Sequence, residues 1–243
     1  MTSTLARIDE SAWRPLYKVG GFAAVAMLLL LPVAVLAFIV APPPEDAAGA
    51  FALFQRDRLL GLLSLDLVYM FEIVLAAVVL LVVTVALRRA SPSFLAISAF
   101  LNVTATAIYF ASNPAFEMLT LSKHHASATT DAQRASFLSA GESMLATYTG
   151  TAYNVSYLMA GLAGLIVALV MLRSDVFGRT TAYLGVVMGV LALIPPTIGT
   201  VGLVAAFLYL VPLVGWSVLI ARRLLQLGRE PSTGEHDRCE GRA

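Results

Sequence analysis

Long apolar runs separated by short charged segments set the pattern of this chain. Residues 20–41, 59–87, 93–116 and 143–172 each satisfy the requirement of about 20 predominantly apolar residues for crossing a bilayer as a helix. Only the second of these runs carries charges, Asp66 and Glu72. From residue 180 to residue 221 there are 42 residues without a charge, too many for one crossing and suited to two. Pro195-Pro196-Thr197-Ile198-Gly199-Thr200 concentrates helix breakers and turn formers, so a tight hairpin is expected there, dividing spans 180–197 and 200–221. The pattern predicts an all-α fold, a polytopic membrane helical bundle with six transmembrane helices.

The connecting segments carry signals of their own. Segment 42–58 opens with Pro42-Pro43-Pro44, a stiff start, and Phe51 to Phe54 reads as a short amphipathic piece. In segment 117–142, Thr130-Asp131-Ala132-Gln133 has capping-box spacing, which starts a helix near Asp131 that runs through Gly141 into the fourth span. The chain divides into an N-terminal segment 1–18, a six-helix domain 19–228 and a tail 229–243. From Glu230 onward that tail has no apolar run and reads as disordered.

Composition agrees with a protein whose main solvent is lipid. Hydrophobic residues make up 59% and charged residues 13%, with a mean hydropathy of +0.83, against roughly a quarter charged in a soluble domain. A net charge of +1, without a basic cluster interleaved with aromatics, gives no footprint for nucleic acid. Cys239 is the single cysteine, which excludes an intrachain disulfide and a cysteine metal cluster. The first apolar run, at 22 residues, exceeds the roughly 7 to 15 of a signal-peptide core and reads as an uncleaved span.

Lysine and arginine orient the bundle. With the N-terminus inside, Arg7, Arg14, Lys18, Arg88, Arg89, Arg173, Arg179, Arg222, Arg223, Arg229, Arg238 and Arg242 are cytoplasmic, twelve of the sixteen basic residues. Arg56, Arg58, Lys123 and Arg134 fall outside. Basic residues favour the cytoplasmic loops, so both termini are expected in the cytoplasm.

Against this background a few polar residues stand out as ligand-binding candidates. Intramembrane carboxylates cost about 2.5 to 3.5 kcal/mol each on insertion scales and usually face the bundle interior or a wet cavity, which selects Asp66 and Glu72. Counted from Leu59, they lie about 10 Å and about 20 Å below the outer surface, roughly 120° apart around the helix, with Tyr69 between them. On the third span, Asn102, Thr106, Tyr109 and Asn113 share one face, and Glu117 extends the stripe to the outer mouth. On the fourth span, Thr147, Thr151 and Asn154 repeat the pattern, with Tyr153 and Tyr157 on a neighbouring face.

Each of these side chains also has a plainer reading as interhelical hydrogen-bond glue, worth about 0.6 to 2 kcal/mol. Gly161, Gly164, Gly185 and Gly189 permit close helix approach, and Pro32, Pro195, Pro196 and Pro212 bend or end helices. His124-His125 with Asp131 is an incomplete ligand set, so no metal is assigned, and no motif indicates a cofactor.

Three stretches resemble a family of uncharacterised multi-pass bacterial membrane proteins classed under a domain of unknown function. They are Leu60-Gly61-Leu62-Leu63-Ser64-Leu65-Asp66, the run from Tyr109 to Met118, and Gly150-Thr151-Ala152-Tyr153-Asn154. The resemblance covers most of residues 16–228. It implies a bacterial plasma-membrane location and a multi-pass architecture, and assigns no activity.

The leading functional expectation is binding or transport of a small solute, proton or lipid headgroup through an outward-facing polar pocket formed by spans two to four. The alternatives are a membrane-embedded enzyme acting on a lipid or isoprenoid, with Asp66 or Glu72 as acid or base, and a structural or regulatory protein without a ligand. The lipid bilayer is the one partner the sequence requires.

Overall fold

A computed structural model describes residues 12–229; the expected disordered tail from Glu230 and residues 1–11 of the N-terminal segment lie outside the described residues. Among the described residues the fold is all helical, without strands. Helix α1 spans Arg14–Val40, α2 Ala47–Arg56, α3 Arg58–Ser64, α4 Leu67–Ala86 and α5 Pro92–Ser112. They are followed by α6 Ala115–Ser127, α7 Asp131–Tyr148, α8 Thr151–Met171, α9 Arg179–Leu191 and α10 Gly199–Arg229. Five helical segments are long and apolar enough to cross a membrane: α1, α4, α5 continuing into α6, α7 continuing into α8, and α10. Helix α9 is apolar but has 13 residues, about 20 Å of helix.

Six helices pack in a closed ring. In order around it, α1 touches α4, α4 touches α5, α5 touches α8, α8 touches α9, α9 touches α10, and α10 returns to α1. Apolar side chains fill the interior of this ring, among them Met27 on α1, Val79, Val82 and Val83 on α4, Val167 and Met171 on α8, and Ile220 and Leu224 on α10. Large apolar residues on the outward faces, such as Phe22, Leu29, Phe100, Val201 and Val211, are more than half exposed. That inversion of the soluble pattern is what a lipid-facing surface requires. The close approaches expected from glycine are present: a Cβ on Gly161 of α8 would lie 2.7 Å from the Ala192 carbonyl oxygen, and one on Gly189 of α9 would lie 2.8 Å from Leu165 Cβ.

Helices α2, α3, α6 and α7 form a separate cap at one end of the ring, with its own core of Ala50, Phe51, Phe54, Leu65, Ala115, Met118 and Tyr148. The amphipathic piece around Phe51 to Phe54 is α2, capped by the Asp46 side chain, and both rings are buried. Segment 117–142 is most of a helical hairpin, in which the helix from Asp131 was expected from sequence and the helix before it, α6, was not. Its second helix starts at the expected capping box, in which Thr130 accepts from the Gln133 amide and Gln133 returns the bond. The opposite end of the ring holds both described termini, because a Cβ on Gly228 would press on Lys18 Cγ at 2.7 Å.

The structure corrects the long continuous spans expected from hydropathy alone. Run 59–87 is broken at Asp66, which has φ 68° and ψ 24° between α3 and α4. Run 93–116 ends at Ser112, and run 143–172 is broken at Thr149-Gly150. Hydropathy averages over a window and does not register a one-residue change of backbone region. The helix in span 180–197 ends at Leu191, with turns through Ala192 to Ile198 before Gly199, itself at φ 61°. The hairpin thus lies where Pro195 and Pro196 put it.

Candidate functional site

Three of the helix breaks fall at one level of the molecule, where the cap meets the ring. Helices α4, α5 and α8 have 20, 21 and 21 residues, each about 30 Å long and therefore matched to a hydrocarbon core of about 30 Å. Their ends at this level are Leu67, Ser112 and Thr151. Helix termini leave backbone groups unpaired, and the polar side chains collect where those groups are.

Asp66 accepts a hydrogen bond from the Tyr148 hydroxyl, tying the α3–α4 break to the end of α7. Asn113 works in both directions: its Nδ2 donates to the Leu65 carbonyl at 3.1 Å, and its Oδ1 accepts from the Ala115 amide at 3.0 Å. Asn154 Nδ2 donates to the Gly150 carbonyl at 2.8 Å and the Thr149 carbonyl at 3.1 Å, while its Oδ1 accepts from Thr197 Oγ1. Asp66, Asn113 and Asn154 therefore each serve a break, and Thr197 brings in the α9–α10 turn as a fourth.

Tyrosines fill the space beneath this layer. Tyr69 on α4 meets Tyr109 on α5 edge to face at 5.7 Å, and Tyr153 on α8 lies 6.4 Å from both Tyr109 and Tyr148 and 6.3 Å from Tyr157. Tyr109 and Tyr153 lie within electrostatic reach of the Asp66 carboxylate. Tyr109 is 4% exposed, and its hydroxyl lies beside the Asn113 side chain. Asp66 and Tyr69 also border a shallow cleft along the last turns of α1, where Ala34, Ala37 and Ala41 leave room.

Asp66, Tyr69, Tyr109, Asn113 and Asn154 thus meet in one region, as read from the sequence. Other candidates do not join them. Asn102 is buried lower on α5, where its Nδ2 donates to the Ala77 carbonyl of α4 at 3.0 Å, the glue reading. Glu117 is exposed on the cap helix α6, because the break at Asn113-Pro114 ends the stripe it was meant to extend. Thr151 is exposed at the start of α8, and Thr147 on α7 is separated from it by the Thr149-Gly150 break. Glu72 is buried but points away, into a cleft formed with Met27, Leu28 and Leu31 of α1 and Leu213 and Ser217 of α10. It sits about 7.5 Å from the start of α4, about a quarter of the way along it and not at its middle, because the membrane helix begins at Leu67 and not at Leu59.

Tyr148 is the residue that sequence reasoning missed. Its position near the start of an apolar run gave no signal, and only the break after it turns it onto Asp66. Compared with protein-family models, curated proteins and solved structures, the chain matches none.

Proposed function

We propose that this is a six-pass plasma-membrane protein with both termini in the cytoplasm, and that it binds or transports a small amine, free or as a lipid headgroup, at the junction of cap and ring. The resemblance to uncharacterised multi-pass bacterial membrane proteins belongs to the same proposal. Six passes are supported by the path of residues 176–197. Arg223 Nε donates to the Val176 carbonyl near the described termini, whereas Thr197 bonds Asn154 at the cap, so α9 with its following turns runs from one end of the ring to the other. The excess of basic residues at the end with the termini supports the orientation.

The observation that carries the binding reading is the buried Tyr109 hydroxyl set beside Asn113 and the Asp66–Tyr148 pair. A carboxylate and several tyrosine faces, with no lysine or arginine in the cluster, form a cation-recognising set. Helix breaks at a binding level are also a device of membrane transporters. The cleft beside α1 offers a lateral approach from the lipid.

The test uses the full chain in nanodiscs, titrated with methylammonium, tetramethylammonium or acetate while thermal unfolding is followed. A site filled to 100 times its dissociation constant adds about 2.7 kcal/mol. Saturable stabilisation by the amines but not by acetate is expected, with loss of the effect in Asp66→Asn. A response confined to nanodiscs containing phosphatidylethanolamine identifies the headgroup as the source. No amine response in either lipid, or an unchanged response in Asp66→Asn, overturns the reading.

A further inference from the structure

Glu72 lies outside the cap–ring junction and asks for its own account. It is 6% exposed, and its Oε1 has no hydrogen-bond partner among the described residues. The groups packed around it are almost all apolar: Met27, Leu28 and Leu31 from α1, and Leu213 and Ser217 from α10. Helices α5 and α8 carry no charged residue. The titratable group in electrostatic reach is Tyr209 of α10. A carboxylate in such a setting has little water and no counter-ion beside it among the described residues, so the ionised form is disfavoured.

The two helices that close over Glu72 share a second feature. Each has a proline in its interior, Pro32 in α1 and Pro212 in α10. A proline has no N–H to offer the carbonyl four residues earlier. The carbonyl of Leu28 loses its donor to Pro32, and Leu28 lines the Glu72 cleft. The carbonyl of Leu208 loses its donor to Pro212, next to Tyr209. A protonated carboxyl is a donor, and at Leu28 this seam has a carbonyl whose regular helical donor is missing.

We propose that Glu72 is a proton-binding site in the seam between α1, α4 and α10, holding its proton in this conformation. The site stands independently of whether the Asp66 cluster binds an amine. Because the seam is dry, the proton is exchanged only when α1 and α10 separate near Pro32 and Pro212, which makes Glu72 suited to couple a proton to movement of these helices.

The test is carbodiimide labelling of the full chain in proteoliposomes, mapped by peptide mass spectrometry. A protonated carboxyl in an apolar seam reacts with dicyclohexylcarbodiimide and is shielded from a water-soluble carbodiimide. The expected result is an adduct on Glu72 from the apolar reagent alone, with that adduct lost in Glu72→Gln. The infrared carbonyl band of a protonated carboxylic acid should be present in the wild type and absent from Glu72→Gln. An unlabelled Glu72, equal labelling by the water-soluble reagent, or a carboxylate band in place of the acid band overturns the proposal. The wild-type adduct is read directly, so the outcome does not depend on how well the variant folds.

Discussion

The bond between Asp66 and Tyr148 holds the cap to the ring, and a double-mutant cycle on this pair is the sharpest check of that role. Tyr148→Phe keeps the ring that packs in the cap core and removes only the donor. A hydrogen bond to a charged group contributes about 1.5 to 3 kcal/mol, and a neutral one about 0.5 to 1.5 kcal/mol. Asp66→Asn is the matched change on the other side, since asparagine tolerates the left-handed backbone found at φ 68°. Each single variant should therefore lose about 1 to 3 kcal/mol, and the double variant should lose less than their sum by about 1 to 2 kcal/mol. Asp66→Ala should cost a further 1 to 2 kcal/mol, roughly, because alanine lacks that tolerance. The assay is loss of helical circular dichroism during titration of the micelle-embedded protein with sodium dodecyl sulfate. A coupling below about 0.5 kcal/mol would mean the two sites act independently, and would refute the idea that this contact ties the elements together.

Two further outcomes test the ring and its orientation. Gly161→Leu should destabilise the protein by about 1 to 3 kcal/mol in the same titration, because its Cβ would meet the Ala192 carbonyl oxygen at 2.7 Å; an unchanged midpoint would place the α8–α9 contact elsewhere. A reporter fused after Gly228 should be active in its cytoplasmic form and silent in its exported form, and the reverse result would rule out six passes with both termini inside.

The sequence by itself determined the elements that depend on local chemistry. Apolar run length marked the helices, the Thr130–Gln133 box started α7, Pro195-Pro196 turned the chain, and the small residues on α8 and α9 marked a close helix contact. It also identified Asp66, Tyr69, Tyr109, Asn113 and Asn154, because polar groups in an apolar run are costly enough to stand out.

Only the tertiary structure decided which of those groups meet. Helical phase carries a pattern only while the helix is unbroken. The breaks at Asp66, Asn113-Pro114 and Thr149-Gly150 reset that phase, removing Glu117 and Thr151 from the site and bringing in Tyr148. The division of the two carboxylates was decided in the same way. Their offset around one helix was legible, but which neighbours lay on either side was set by the order of helices in the ring, with Tyr148 facing Asp66 and the proline-containing α1 and α10 facing Glu72. Long-range packing of this kind is a property of the assembled helices and has no local signature in the chain.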